Sequence, residues 1–285
     1  MQATLRRGTP GDAEACGRIC YEAFKGIADE HNFPPDFPSP AVAVNVAGMM
    51  LAHPGFYSVV AEQGGRVVGS NFLDERCPIA GLGPITVDPA AQDAGVGRLL
   101  VRDVLDRAES QGAAGVRLVQ AAYHGRSMAL YTKLGFAVRE PLIAVQGSPI
   151  GEPLPGCRVR RAGLDDLPAC DAIFRDVHGH ERLWDLRDAV ERGSARLVER
   201  DGQVTAYATL LGFAGHAVAR ANDDLKALIA AADRIHNPGF LLPTRNHDLL
   251  QWCIERGLRL RQPMTLMSLG KYQEPRGPFL PSIAF

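Results

Sequence analysis

The feature that most constrains the fold is an internal repeat, because three stretches of the first half recur in the same order in the second half. Each pair shares one local pattern: a strand ending in Arg-Arg before a turn and a helix, then a hairpin with glycine in its turn, then a helix stopped by glycine. The paired stretches are 4–19 with 158–173, 60–69 with 197–206, and 130–136 with 252–258. This repetition indicates a duplicated domain, and 285 residues suffice for two domains of about 150 residues each.

The repeat sets the expected domain boundaries. We predict a first domain over 1–146, a Pro- and Gly-rich linker over 147–156, and a second domain over 157–270. The tail, 271–285, should pack across both domains without forming an element of its own. The segment 31–40 carries four prolines after the first helix, so it is either a stiff wall of a binding cleft or a plain connector.

Composition excludes several classes of protein. The net charge is −1 without a long run of one sign, whereas a nucleic-acid surface needs clustered Lys and Arg. None of the six cysteines forms a C-x-x-C pair, and Cys16 and Cys20 lack the further ligands of a zinc site, so we expect reduced thiols and no metal. Neither a stretch of about 18 apolar residues nor a signal-peptide core is present, so we expect a cytoplasmic protein with no membrane partner.

Residues 82–136 carry the informative chemistry. Their pattern predicts a strand over 83–87, a turn with the sequence Q-D-A-G-V-G-R over 92–98, and a helix from 96 to about 111. Glycines let the backbone of such a turn approach a ligand, and the first N–H groups of the helix point outward at the positive end of its dipole. The turn therefore favours a pyrophosphate, although a plain tight turn fits the glycines as well. A dinucleotide fingerprint would need a third glycine where Leu100 stands, and a P-loop would need G-K-[ST].

Two motifs in this region resemble those of a known family. Motif A of the GCN5-related N-acetyltransferase (GNAT) superfamily, with its signature [QR]-x-x-G-x-[GA], is similar to I-T-V-D-P-A-A-Q-D-A-G-V-G-R-L-L at 85–100. Motif B is similar to M-A-L-Y-T-K-L-G-F at 128–136, and the spacing between the motifs, with a strand over 115–121, also matches. The resemblance covers 1–145 and, as a degenerate copy, 157–270. It implies an α/β chain of two tandem GNAT-like domains, each a mixed twisted β-sheet flanked by helices.

The resemblance also implies acetyl-CoA as the co-substrate and assigns its contacts. The backbone of Ile85, Thr86 and Val87 would pair with the pantetheine arm as with an added strand. Gln92 would shape the loop. The amides that would hold the pyrophosphate belong to Asp93, Ala94, Gly95, Val96, Gly97 and Arg98.

Three side chains are candidates for catalysis. Tyr131 matches the motif B tyrosine, which the family uses to protonate the departing thiolate, and an ordinary core residue is the alternative. His124 stands where many members have an asparagine that contacts CoA, and it is either a base or a solvated or capping side chain. Glu75, at the end of the hairpin before motif A, is either the base that deprotonates the amine or a solvated carboxylate.

The matching positions of the second half lack this chemistry. Cys253 replaces the tyrosine, although Asn246 keeps the asparagine, and no glycine stands in the helix-opening segment 219–229. Asp223 and Asp224 would place negative charge where the pyrophosphate should sit. We therefore expect a copy that does not bind CoA and that covers the first domain, contributes to the acceptor pocket or forms a homodimer.

The sequence thus predicts transfer of an acetyl group from acetyl-CoA to the amine of a small-molecule or peptide acceptor, whose identity stays open. A non-catalytic acyl-CoA-binding sensor or interaction module is the alternative. A hydrolase is disfavoured, because G-R-S-M-A around Ser127 lacks the second glycine of a nucleophile elbow. Release of CoA in the presence of amines would distinguish the enzyme from the sensor.

Overall fold

The order of helices and strands repeats along the chain. The computed structural model describes residues 3–284, so Met1, Gln2 and Phe285 lie outside it. The elements of the first half are β1 (Thr4–Arg7), α1 (Ala13–Glu30), α2 (Pro40–Ala52), β2 (Phe56–Gln63), β3 (Arg66–Asp74), β4 (Ile79–Leu82), β5 (Thr86–Val87), α3 (Val96–Ser110), β6 (Gly115–Ala121), α4 (Gly125–Lys133) and β7 (Ala137–Gln146). The elements of the second half are β8 (Arg158–Arg161), α5 (Leu167–His178), α6 (Leu183–Glu191), β9 (Arg196–Arg200), β10 (Gln203–Ala208), β11 (Ala217–Ala219), α7 (Asn222–Ala230), β12 (Phe240–Pro243), α8 (His247–Glu255), β13 (Arg259–Gly270) and β14 (Phe279–Leu280). None of the helices in the described range is long and apolar enough to cross a lipid bilayer.

The two halves share an ion cluster at the start of each repeat. In both, an arginine on the first strand binds an aspartate from the following turn and a glutamate on the second strand. The members are Arg6 with Asp12 and Glu62, and Arg160 with Asp166 and Glu199. Because the same three residue types meet in the same elements, the duplication predicted from the sequence extends to side-chain contacts.

One strand of the second half completes the sheet of the first half. β13 lies between β6 and β7 and is antiparallel to both, with Met264 opposite Ala121 on one side and Leu142 on the other. The large sheet has the order β1-β2-β3-β4-β6-β13-β7-β12, and β8 to β11 form a second sheet with β14. The predicted boundaries at 146 and 157 therefore do not separate two independent sheets. Alternation of apolar residues is the same in either sheet, so the sequence pattern cannot tell which sheet a strand joins.

Helices cover the large sheet on both faces, as predicted for a GNAT-like fold. Adjacent residues of β2 face different cores, because side chains alternate across a strand. Val59 belongs to an apolar cluster with Leu100 of α3 and Tyr131 of α4. Val60 packs instead with Cys16 of α1, in a cluster that α2 also joins. The face covered by α1 and α2 is thus opposite to the face covered by α3 and α4.

The strand predicted over 83–87 is interrupted. β4 ends at Leu82 and β5 starts at Thr86. Pro84 has no N–H for a ladder hydrogen bond, and Gly83 has a φ of 126°, which other residues rarely adopt. The prediction of one continuous strand was therefore wrong. The helix predicted from 96 and the strand predicted over 115–121 are confirmed as α3 and β6.

The tail forms a short strand, contrary to prediction. β14 pairs with β11 in the second sheet. The tail nevertheless contacts both halves, since the N–H of Lys271 donates to the carbonyl of Ala114 at 2.9 Å and the N–H of Arg276 donates to Val177 at 3.0 Å. The strand escaped prediction because it is only two residues long, too short for any periodic pattern.

Candidate functional site

A gap opens in the large sheet where β5 leaves β6. β4 runs parallel to β6, with Ile79 opposite Gly115 and Gly81 opposite Arg117. β5 pairs with β3, and among the strand pairs of residues 3–284 it has no other partner. We call the space between β5 and the last residues of β6 the strand gap. Backbone N–H and C=O groups along such an edge need partners, and an extended ligand with amide groups can supply them.

A glycine-bearing turn leads from the strand gap into α3. The Asp88 side chain accepts a hydrogen bond from the N–H of Ala90 at 2.9 Å, which fixes the start of the turn. Gly95 is the N-cap residue of α3 and has a φ of 80°. Because glycine has no side chain, it cannot accept a hydrogen bond from the first N–H groups of the helix, as other N-cap residues do. Those groups are therefore left for an anion.

Gly97 lies where three elements of the site come close together. A Cβ added there would lie 3.6 Å from Cδ2 of Leu130 and 3.8 Å from Cγ2 of Val87, which are ordinary packing distances. The helix start, β5 and α4 thus converge at this residue. Since the protein could accommodate a side chain at 97 without strain, its own packing does not explain the glycine. A glycine at this position also leaves the backbone open to close approach by a ligand.

Gln92 and Arg126 tie the turn to its surroundings. The Gln92 side-chain amide donates to the carbonyl of Val87 at 3.2 Å, which agrees with the loop-shaping role expected for it. Arg126, in the first turn of α4, donates to Asp93 at 2.6 Å and to Gln92 at 3.4 Å. Arg126 was not among the residues predicted from the sequence. A cation in the first turn of a helix opposes the helix dipole, and that unfavourable position is the signal that could have identified it.

Tyr131 lies in the apolar cluster beside the strand gap. It is 6% exposed, and its ring meets that of Phe136 edge to face at 5.9 Å. Ile85 and Val87 pack against the same cluster. Burial raises the pKa of the Tyr131 phenol, so the hydroxyl keeps its proton at neutral pH.

Comparison with known proteins agrees with this geometry. The sequence model of the acetyltransferase (GNAT) family matches residues 24–136. A mycothiol acetyltransferase of Nocardia farcinica is 41% identical over 76 residues, which cover 25% of this chain and 25% of that protein. The likeness to the acetyltransferase (GNAT) family thus lies in the first half of the chain. The match spans only a quarter of the length of that relative.

Solved structures extend the likeness to the whole chain. An acetyltransferase structure from Pyrococcus horikoshii superposes with a TM-score of 0.75 at 18% identity, covering 98% of this chain and 94% of the other. A tandem GNAT protein from the clavulanic acid biosynthesis pathway gives a TM-score of 0.54 at 14% identity, covering 94% and 98%. At such identities the likeness concerns the fold. The chain is therefore a tandem arrangement of two GNAT-like domains.

His124 and Ser127 lie at the start of α4 in this GNAT domain. His124 is half-buried at the N-cap, and burial together with the nearby Arg126 lowers its pKa, so the ring is neutral at pH 7. The Ser127 hydroxyl lies 2.7 Å from Oε1 of Gln120 and 2.9 Å from the carbonyl of His124. Ser127 thus serves as a first-turn helix residue, as expected, and is not held by a histidine ring as a nucleophilic serine would be.

Glu75 is not brought to the GNAT turn. Its carboxylate accepts two hydrogen bonds from Arg107, at 2.7 and 3.1 Å. Arg107 lies in the last turn of α3, about 16 Å along the helix from Val96 at 1.5 Å per residue. Glu75 therefore binds the far end of α3 rather than the turn at its start.

The corresponding region of the second GNAT-like domain is closed by its own side chains. At the start of α7, Asn222 donates to Asn246 at 2.9 Å and to Asp248 at 2.8 Å. Asp224 is 2% exposed and accepts from Nε of Arg200 at 2.5 Å. These side chains place two carboxylates near the start of α7, where the first half has a glycine-bearing turn.

Proposed function

We propose that this chain transfers the acetyl group of acetyl-CoA to an amine, and that each chain has one cofactor site, in its first half. The observation that carries the proposal is the strand gap beside the glycine-bearing start of α3. An extended amide chain fits the first feature and a pyrophosphate fits the second. The buried hydroxyl of Thr86, which has no hydrogen-bond partner among residues 3–284, adds a polar atom that a ligand can satisfy.

Different residues bind different parts of the cofactor. The backbone of Ile85, Thr86 and Val87 pairs with the pantetheine arm along the free edge of β5. The turn from Asp93 to Arg98 supplies N–H groups to the pyrophosphate. Arg126 adds a positive charge, which an arriving phosphate draws away from Asp93 because it carries the larger charge.

The reaction joins the amine nitrogen to the acetyl carbon as the bond from that carbon to sulfur breaks. Holding the two reactants together supplies much of the rate. The sulfur leaves as a thiolate, and Tyr131 donates its proton to it. His124 borders the wide end of the strand gap and, being neutral, offers a hydrogen bond to the pantetheine arm where other members have asparagine.

Titration calorimetry with acetyl-CoA tests the cofactor site. We expect one site per chain in the wild type. Gly97→Asp should weaken binding by at least about a hundredfold, or about 2.7 kcal/mol, because it places a carboxylate where the phosphate sits. Gly26→Asp is the matched control, since Gly26 is exposed on α1 with nothing within 4 Å of an added Cβ.

Two results would contradict the proposal. The first is a stoichiometry of two equivalent sites per chain. The second is unchanged affinity in a folded Gly97→Asp protein. A wild type that binds acetyl-CoA but releases no CoA with any amine would instead favour the sensor.

A further inference from the structure

A carboxylate from the first half is paired with an amide from the second half near the strand gap. Asp36 lies in the loop 31–39, between α1 and α2, and is half-buried. Its Oδ1 accepts a hydrogen bond from Nε2 of Gln262 at 2.7 Å. Gln262 is on β13, is 0% exposed, and its own Oε1 is buried without a hydrogen-bond partner among the described residues. The pair thus leaves oxygen lone pairs without a donor.

This pair lies at the edge of the sheet where the strand gap is widest. β5 and β6 both end at that edge, and the pairing of β13 with β6 begins there, because Met264 is opposite Ala121 at the end of β6. The N–H of Ala122 donates to the carbonyl of Pro263, the residue after Gln262, at 3.0 Å. The loop 31–39 covers the same edge, since Phe33 stacks on Tyr123 with ring centroids 4.3 Å apart.

Asp36 and Tyr131 approach the strand gap from opposite faces of the sheet. Tyr131 belongs to the cluster under α3 and α4. Asp36 belongs to the loop between α1 and α2, which cover the other face, and its charge acts on Cys20 of α1. A thioester bound in the strand gap would therefore have the acid, Tyr131, on one side. The amine would arrive on the other side, beside the carboxylate of Asp36.

We propose that Asp36, positioned by Gln262, forms the binding site for the ammonium group of the acceptor and takes its first proton. This inference rests on the proposed function and specifies its acceptor side. The half-buried rings of Phe33 and Tyr123 border the carboxylate, so the acceptor is a primary amine attached to an aromatic or apolar body. The second half of the chain thus completes the active site of the first half through one residue of β13.

The local electrostatics suit this task. Burial raises the pKa of Asp36, and the hydrogen bond from Gln262 opposes that rise. The titratable groups facing it are the thiol of Cys20 from α1 and the hydroxyl of Tyr123 after β6. Burial raises the pKa of the Cys20 thiol, and burial and the charge of Asp36 raise that of Tyr123 to about 12. Both groups are neutral at pH 7, so neither compensates the negative charge of the carboxylate. An ammonium group would compensate it.

Each proton that moves in the reaction has a donor and an acceptor. The ammonium gives one proton to Asp36, which frees the nitrogen lone pair. As the nitrogen–carbon bond forms and the carbon–sulfur bond breaks, the thiolate takes the proton of Tyr131. The second proton lost by the nitrogen and the proton held by Asp36 pass to water, and water returns one proton to the phenolate of Tyr131. A raised pKa of Asp36 helps the first proton transfer, because it narrows the difference between the pKa of the carboxyl group and that of the ammonium group.

The test compares Asp36→Asn with Asp29→Asn, using 2-phenylethylamine, tyramine and tryptamine as acceptors. Asp29 is the matched control because it lies on the same side of the first half, at the end of α1, and its side chain is 54% exposed in an ion pair with Lys25. For Asp36→Asn we expect kcat/KM for the amine to fall at least about a hundredfold and the Kd of acetyl-CoA to stay within twofold. Asp29→Asn should change neither.

A second variant tests the positioning role of Gln262. Gln262→Leu removes the hydrogen bond that favours the ionised carboxylate, so the pKa of Asp36 should rise and the acid limb of the kcat/KM profile should move to higher pH. A purely structural residue would lower the rate without moving that limb. We also expect about a tenfold loss of kcat/KM at pH 7, with acetyl-CoA affinity unchanged.

The outcomes separate the two proposals. Failure of the wild type to bind acetyl-CoA would overturn the proposed function. Binding without CoA release from any of the three amines would overturn the acceptor assignment, as would full activity of Asp36→Asn. An unmoved acid limb in a folded Gln262→Leu protein would remove Gln262 from the site.

Discussion

At the scale of single residues, Tyr131 is both a core residue and the candidate acid. The two roles do not conflict, because the apolar surroundings that bury its ring also raise the pKa of its hydroxyl. A general acid must hold its proton until the leaving group needs it. A free thiol has a pKa of about 8.5, so protonation should speed its departure without being indispensable.

Tyr131→Phe isolates the hydroxyl, since it keeps the ring. We expect turnover to fall by about a hundredfold or more, while the Kd of acetyl-CoA stays within twofold. Tyr57→Phe is the control: it removes a hydroxyl that donates to Asp103 at 2.8 Å, outside the turn and the strand gap. Near-normal turnover in folded Tyr131→Phe would return Tyr131 to a packing role alone.

At the scale of elements, periodicity and glycine positions predicted the helix and the strand that flank the proposed cofactor site. The helix after the turn and the strand over 115–121 could be read from a run of apolar spacings within one short segment. The acceptor side could not be predicted in this way. Asp36 and Gln262 are separated by 226 residues, and they meet only because β13 is inserted between β6 and β7. The break at Pro84 was also missed, although proline is a poor member of a central strand.

The second GNAT-like domain offers a comparison of two adjacent residues on α7. The side chain of Asp224 is 2% exposed and pairs with Arg200, whereas that of Asp223 is 74% exposed. We expect Asp224→Ala to lower the free energy of unfolding by about 1–3 kcal/mol, since Arg200 loses its partner. Asp223→Ala should be nearly neutral. Urea unfolding measures both, and calorimetry should give unchanged acetyl-CoA affinity for each. A tenfold loss of affinity in either variant would mean that the second domain takes part in cofactor binding.

At the scale of the whole molecule, the two halves form one folding unit. Without β13, the strands β6 and β7 would face each other across an empty position, and their edge groups would have no partners. Ion pairs add to the connection, since Arg76 of the first half binds Asp188 of the second at 2.6 Å. The second half thus contributes to the large sheet the strand that carries Gln262.

Cutting the linker tests this coupling. A site for a specific protease inserted between Gly151 and Glu152 lies in a segment without helix or strand, where Gly151 is exposed. After cleavage we expect both fragments to elute together at the size of the intact chain in size-exclusion chromatography, and to bind acetyl-CoA within about threefold of the uncut insertion variant, because β13 stays hydrogen-bonded on both sides. Residues 1–146 produced alone should not fold, since their sheet lacks an internal strand. If that fragment were a soluble monomer that binds acetyl-CoA, the first half would fold without the second, and β13 would not be required for the cofactor site.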